Sequence, residues 1–318
     1  MICMAKKIIS LVLSLLILAA IIWYSDPVKL INAMAKINPI YIIAGLIIST
    51  ISLFIRVLRW KVLLKNVSFS ELWPIQLFGM AVSNLTPGKI AEPIKSILLK
   101  MRKNTPVSTS LQSIMWERII DVIILIIFSV AAINIISIGT KFFYLGILSI
   151  IIFIALIAVI VAVMKFQNFG FKIIRLLRKF PILKNISDDF MKNFYKTKTL
   201  RMSLILSFIL TLIAWILDAV SFYLIFVAFE INISFIATIS LISFALLISI
   251  VSFLPGGLGS FEVIMIIFLG MFGVTTSTAT ASILLARFVT IWYSLFLGGL
   301  AFIYLSKVID FKKFKKLL

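Results

Sequence analysis

Leu254-Pro255-Gly256-Gly257-Leu258-Gly259-Ser260-Phe261-Glu262 is the stretch on which the architecture turns. It separates two apolar runs, 235–253 and 261–272, and the second is far short of the roughly 20 residues that a membrane crossing needs. Pro and Gly at the break leave backbone groups without helical partners. Lipid does not tolerate unpaired backbone, so the break has to face protein or a water-filled cavity. The pair reads as a helical hairpin that enters the membrane and turns back, the plainer alternative being a loop between two ordinary spans. A second break, Thr86-Pro87-Gly88-Lys89, divides 72–85 from 90–101 in the same way.

The rest of the chain supplies the membrane that these hairpins require. Of 318 residues, 63% are hydrophobic and only 13% charged, whereas a soluble domain carries about 25% charged residues. Six runs read as full crossings: 8–24, 40–55, 119–137, 142–164, 202–229 and 279–305. The first follows Lys6-Lys7 and reads as an uncleaved helix, since no small-residue cleavage site follows it. The expected fold is therefore an all-α polytopic membrane protein with six transmembrane helices and two re-entrant helical hairpins.

Charge orients this arrangement. The chain has 31 Lys and Arg against 11 Asp and Glu, a formal net charge of +20. With six crossings and a cytoplasmic N-terminus, 27 of the 31 basic residues fall on cytoplasmic flanks, including four in 56–71 and six in 89–118, as the positive-inside bias predicts. The expected location is the cell membrane, multi-pass, with both termini and the basic linker 165–201 in the cytoplasm. Attraction of that linker to anionic lipid is sufficient explanation for its Lys172, Arg175, Arg178, Lys179 and Lys184.

Sliding the chain against itself by 169 residues lays Val82-Ser83-Asn84-Leu85 on Val251-Ser252-Phe253-Leu254, and Gly88 on Gly257. The same shift lays Ser113-Ile114 on Ser282-Ile283, and Arg118 on Arg287. One membrane domain, 1–318, then consists of two halves, 1–140 and 141–318, each with three crossings and one hairpin. An odd number of crossings inverts the second half. Inverted repeats with broken helices are a transporter architecture, with the substrate site where the breaks meet.

Ionisable residues in apolar segments are expensive and mark function by default. Here they are Lys89, Glu92 and Lys95 after the first break, Glu117, Arg118 and Asp121 at the head of the third crossing, Asp218, Glu262 and Arg287. Arg118 and Asp121 lie three residues apart and Glu117 and Asp121 four, so Arg118 is placed to screen both carboxylates. Asp218 has no counterpart in the repeat and reads as a helix-packing hydrogen bonder. Each break also restarts a helix whose free N–H groups favour an anion. The expected substrate-binding set is Asn84, Pro87, Gly88, Lys89, Glu92, Arg118, Asp121, Pro255, Gly256, Gly257, Gly259, Glu262 and Arg287. Glu92 and Glu262 are placed to hold the arginines while the site is empty, and equally a Glu262–Arg287 pair would simply tie hairpin to span. If the glycines cradle a phosphate, Gly257→Val should damage function more than a change at Gly298.

Much chemistry is excluded. Without any His and with a single Cys, Cys3, the chain has no Ser-His triad, no zinc site of the usual kind and no intramolecular disulfide. No Gly-x-x-x-x-Gly-Lys-Ser/Thr loop is present, so it is not a P-loop ATPase. No catalytic residue, metal, cofactor or nucleic-acid partner is expected.

The chain resembles the lysylphosphatidylglycerol synthase transmembrane region, the flippase-like membrane proteins. The resemblance rests on Asn84-Leu85-Thr86-Pro87-Gly88 with Glu92, on Glu117-Arg118-Ile119-Ile120-Asp121, on Pro255-Gly256-Gly257-Leu258-Gly259 with Glu262, and on Arg287 before Leu297-Gly298-Gly299-Leu300. It departs at Pro93-Ile94-Lys95, where the family leads one to expect Arg; Lys keeps the charge and loses the bidentate grip on phosphate. The resemblance implies the lipid-translocating half without the synthase domain. The expected activity is transport of an anionic or phosphate-linked lipid, glycosylated or not, between leaflets. Two other readings stay open: an intramembrane lipid-modifying enzyme with Glu262 or Glu92 as general base, and a non-catalytic membrane partner of a glycosyltransferase.

Overall fold

A computed structural model describes residues 12, 14, 16–64, 67–86, 91–133, 141–177, 194–195 and 200–309. Pro87, Gly88 and Lys89, and most of the linker with Arg178, Lys179 and Lys184, lie outside the described residues. All regular structure among the described residues is helical.

Helix α1, Leu16–Tyr24, meets α2, Pro27–Ala35, at a bend of 80°. Most of the first half of the run 8–24 lies outside the described residues, and the chain turns sharply where that run ends. The cause is local: Asp26 caps α2 by accepting hydrogen bonds from the N–H groups of Val28 and Lys29, and Pro27 occupies the first helical position. Asn38-Pro39 repeats the device at the start of α3, Pro39–Leu63. Next come α4, Phe69–Asn84, and α5, Ile94–Lys103, on either side of the first break. They are followed by α6, Val107–Ile133, α7, Lys141–Lys165, and α8, Gln167–Leu177. Helix α9 is Arg201–Ala228; α10, Phe235–Val251, and α11, Ser260–Met271, flank the second break. Helix α12, Thr276–Arg287, passes through a π-helical turn, Phe288–Trp292, into α13, Tyr293–Val308.

Among the described residues three helical segments are long and apolar enough to cross a membrane, namely α3, α9 and the continuous Thr276–Val308 run, and the bent α1–α2 pair raises the number to four. Helices α6 and α7 have 27 and 25 residues, about 40 Å at 1.5 Å per residue.

Helices α3 and α9 form the central pair. Their facing stripes carry small and polar residues at three- and four-residue spacing: Gly45, Ser49 and Ser52 on α3, Ser207, Thr211, Ala214 and Ser221 on α9. Small side chains let the two backbones approach, and hydroxyls bond across the gap. Ser49 and Ser221 hydroxyls lie 3.3 Å apart, and the Ser52 hydroxyl donates to the Ala214 carbonyl at 3.2 Å. The outer face of α3 is the reverse, with Ile40, Ile43, Ile47, Ile51 and Phe54 exposed, an apolar belt suited to lipid. Around this pair α4 packs against α13, and α10 packs against α6.

Candidate functional site

The second break meets the end of α4. Gly256 adopts φ +59°, and a Cβ there would sit 2.9 Å from the Asn84 carbonyl oxygen, so the second turn is pressed against the end of α4. Gly257, at φ +66°, is likewise closed in by the Ser249 hydroxyl, at 2.8 Å from the position of a Cβ. Both need the left-handed conformation that glycine adopts without strain. Pro255 is buried beside them.

Glu262 sits in the first turn of α11 and accepts a hydrogen bond from the Gly259 N–H at 2.6 Å. That N–H is thereby taken by the protein's own carboxylate. The other oxygen of Glu262 accepts from Arg287 Nε at 2.7 Å, while Arg287 Nη2 donates to the Gly256 carbonyl at 2.8 Å and the guanidinium lies 4.6 Å from the centre of the Phe261 ring. Carboxylate, guanidinium and turn form one buried unit.

The first half carries a denser cluster. Arg59, buried on α3, donates to Glu117 at 2.9 Å, to Asp121 at 2.6 Å and to the Thr211 hydroxyl at 3.3 Å. Lys95, fully buried, donates to Gln76 at 3.0 Å and Glu117 at 2.8 Å, pairs with Glu92 at 3.0 Å, and lies 4.8 Å from the Trp60 ring centre. Gly79 makes room for it, since a Cβ there would fall 2.2 Å from Lys95 Cγ. Arg118 pairs with Glu92 at 2.8 Å and with Asp121 at 2.7 Å. Trp215 Nε1 donates to Asp121 at 3.1 Å. On the α3–α9 seam Arg56 pairs with Asp218 at 2.5 Å and stacks 5.0 Å from the Trp215 ring centre, and the Ser52 hydroxyl donates to Asp218 at 2.5 Å. Desolvating so many charges is expensive, and each is retained here by at least one partner.

These residues surround a cavity of about 130 Å³, several times the 10–15 Å³ that one water requires on the same measure. Its wall is polar where Arg56, Arg59, Glu92, Arg118, Asp121 and Asp218 converge, and apolar at Leu53, Met80, Phe222, Ile242, Leu246 and Ile291. Of the residues expected from sequence, Asn84, Glu92, Arg118, Asp121 and Arg287 line it. Glu262 and the glycines stand behind Arg287 and shape the turn.

Several expectations are corrected by this geometry. Arg56, Arg59, Lys95 and Arg118 are taken up in the ion-pair network, so their charge does not count towards orientation, and the exposed basic residues near them are ones such as Lys61, Lys100 and Lys103. Arg118 screens Asp121 and Glu92, whereas Glu117 is held by Arg59 and Lys95. Gly298 is no neutral comparison for Gly257: a Cβ there would lie 2.3 Å from the Ala81 Cβ and 2.9 Å from the Leu77 carbonyl oxygen, at the α4–α13 contact.

The family model described as the lysylphosphatidylglycerol synthase transmembrane region matches residues 8–298. The chain belongs to this family. The chain is also similar along nearly its whole length to a UPF0104 membrane protein of Methanocaldococcus jannaschii, 25% identical over 98% of this chain and 98% of that protein. Another, from Methanothermobacter thermautotrophicus, is 27% identical over 98% of this chain and 99% of its own length. A shorter match, 25% identical over 36% of this chain and 19% of the other protein, is to the glycosyltransferase AglD of Haloferax volcanii. The transmembrane-region family thus accounts for the sequence from the first helix to the glycines of α13, and with it for every element that lines the cavity.

Proposed function

We propose that this member of the synthase transmembrane-region family carries a lipid with an anionic, phosphate-linked headgroup between the two leaflets, as a transporter and not as an enzyme. The observation that carries the reading is the divided lining of the cavity: four arginines, Arg56, Arg59, Arg118 and Arg287, reach one partly open space whose other wall is apolar. Guanidinium groups match phosphate in charge and in bidentate geometry, and an adjoining apolar wall suits the first carbons of an acyl or prenyl chain. Helix N-termini play the smaller part, because Glu262 already occupies the Gly259 N–H.

The same reading takes the chain as six crossings and two re-entrant hairpins in an inverted repeat, with both termini cytoplasmic. Its support lies in the packing. Exchanging α3 with α9, α4 with α10, α5 with α11 and α6 with the α12–α13 run turns the α4–α13 contact into the α10–α6 contact, and leaves the central α3–α9 pair as it is. The exchange also turns the Glu92–Arg118 pair into the Glu262–Arg287 pair. Two equivalent carboxylate–arginine latches, one beside each break, suit a site opened alternately to either side. The partial match to AglD supports a narrower form, in which the headgroup is a phosphate-linked sugar and a glycosyltransferase is the partner.

Reconstitution into vesicles carrying a fluorescent phospholipid in both leaflets tests the proposal, with dithionite quenching the outer leaflet. Transport predicts quenching beyond half of the signal, lost in Arg118→Gln that remains folded. Quenching that stops at half with every anionic lipid offered would refute it.

A further inference from the structure

The polar end of the cavity is not a basic pocket. Its lining carries Arg56, Arg59, Arg118 and Arg287 with Glu92, Asp121 and Asp218, and Lys95, Glu117 and Glu262 are paired to that lining from behind; among the described residues these five basic and five acidic side chains match, and every one belongs to an ion pair. A ligand bearing a negative charge therefore enters a space already balanced. In a low-dielectric interior an uncompensated charge is strongly disfavoured, so the added charge must be cancelled as it arrives.

Geometry picks out the pair that yields. Arg118 has 31% of its side chain exposed, against 0–5% for Arg59, Lys95, Glu92, Glu117 and Asp121, and it faces the cavity. It is the guanidinium placed to turn to a phosphate. Its two carboxylates are then left in different surroundings. Asp121 keeps Arg59 from α3 and the Trp215 N–H from α9. Glu92 keeps Lys95, which Glu117 of α6 and Gln76 of α4 already share. Resting on the transporter reading, we propose that the anionic headgroup enters this cavity together with a proton, which Glu92 takes up from water as Arg118 leaves it for the phosphate. The balance closes: one negative charge and one proton enter, and the carboxylate becomes a carboxyl. A lipid carried across would release the proton where Arg118 returns, which makes the proton a second transported species.

The test uses the full chain in neutral detergent with dihexanoyl phosphatidylglycerol as the probe, whose phosphate is ionised throughout the working range, so any proton taken up goes to the protein. Calorimetric titration in two buffers of different ionisation heat counts protons. The expected result is uptake approaching about one proton per lipid, with Kd weakening towards about tenfold per pH unit at the alkaline end. Glu92→Gln, which mimics the protonated carboxyl, should bind with no uptake and a flat pH profile. Wild-type binding without uptake would overturn the proton inference and leave the transporter reading standing. Uptake unchanged in Glu92→Gln would overturn the assignment to this residue. If the folded protein fails to bind the probe at any pH, the headgroup reading falls, and the proton with it.

Discussion

Arg59→Met gives the sharpest test of the network. Arg59 is 1% exposed and holds Glu117, Asp121 and Thr211 together across α3, α6 and α9. Methionine fills most of the stem volume, so the chief loss is charge. The remaining described network has five carboxylates and four cations, with Lys95 alone on Glu117 and Arg118 and Trp215 on Asp121. Removing one partner of a buried pair costs about 3–5 kcal/mol. At about 2 °C per kcal/mol for a chain of this size, thermal unfolding in detergent should fall by roughly 6–10 °C. Adding Asp121→Asn restores the charge balance, so the double variant should regain at least about 1 kcal/mol over the additive expectation. An Arg59→Met protein as stable as wild type, or a double variant with strictly additive loss, would refute the claim that charge balance holds these three helices.

The second latch makes a parallel case: Glu262→Gln and Arg287→Gln should each abolish leaflet exchange, and the double variant should be no worse than either, checked in folded protein by dithionite quenching. Gly257→Val should disable transport, since both its φ of +66° and the Ser249 hydroxyl oppose a side chain, while Gly299→Val, with nothing within 4 Å, should transport normally; Gly298→Val should lower yield and melting temperature through the α4–α13 contact. Glu71, in the first turn of α4, is held down to about 2 by hydrogen bonds from Lys103 and Ser68. Its folded value is depressed, so the tie from α4 to Lys103 on α5 is present above the usual carboxylate range and is lost as pH falls towards 2; the melting-temperature gap between wild type and Glu71→Gln should close over that interval. In the Cys3→Ser background, an impermeant thiol reagent applied outside intact cells should label Glu230→Cys and spare Lys172→Cys, and the reverse pattern would overturn the assigned orientation.

The second break was legible in sequence because Pro-Gly-Gly inside an apolar run has few physical outcomes, and Glu262 with Arg287 because a charge in such a run has to find a partner. Arg56 and Arg59 were not. They stand at the end of an apolar run beside Lys61 and Lys65, where basic residues ordinarily mark an interface. The signal that separates them is periodicity: Gly45, Ser49, Ser52, Arg56 and Arg59 continue one stripe at three- and four-residue spacing, and Lys61 and Lys65 do not. The partners of Glu117 were hidden for another reason. Spacing along α6 shows that Glu117 and Asp121 share a face, and only tertiary packing brings Arg59 and Lys95 to it.

The π-helical turn at Phe288–Trp292 has a bearing on how this protein tolerates change in length. A wide turn holds one residue more than an α-helix needs over the same rise, so it acts as a phase shifter between the two ends of a continuous rod. Upstream, Arg287 is turned towards Glu262; downstream, Gly298 is turned onto Ala81. Deleting one residue within 288–292 would let the rod become regular and rotate one end against the other by about 100°. Latch and packing face could not then both be met. Sequence is free to drift within these five positions, but their number is fixed by the angle between two contacts that lie on either side.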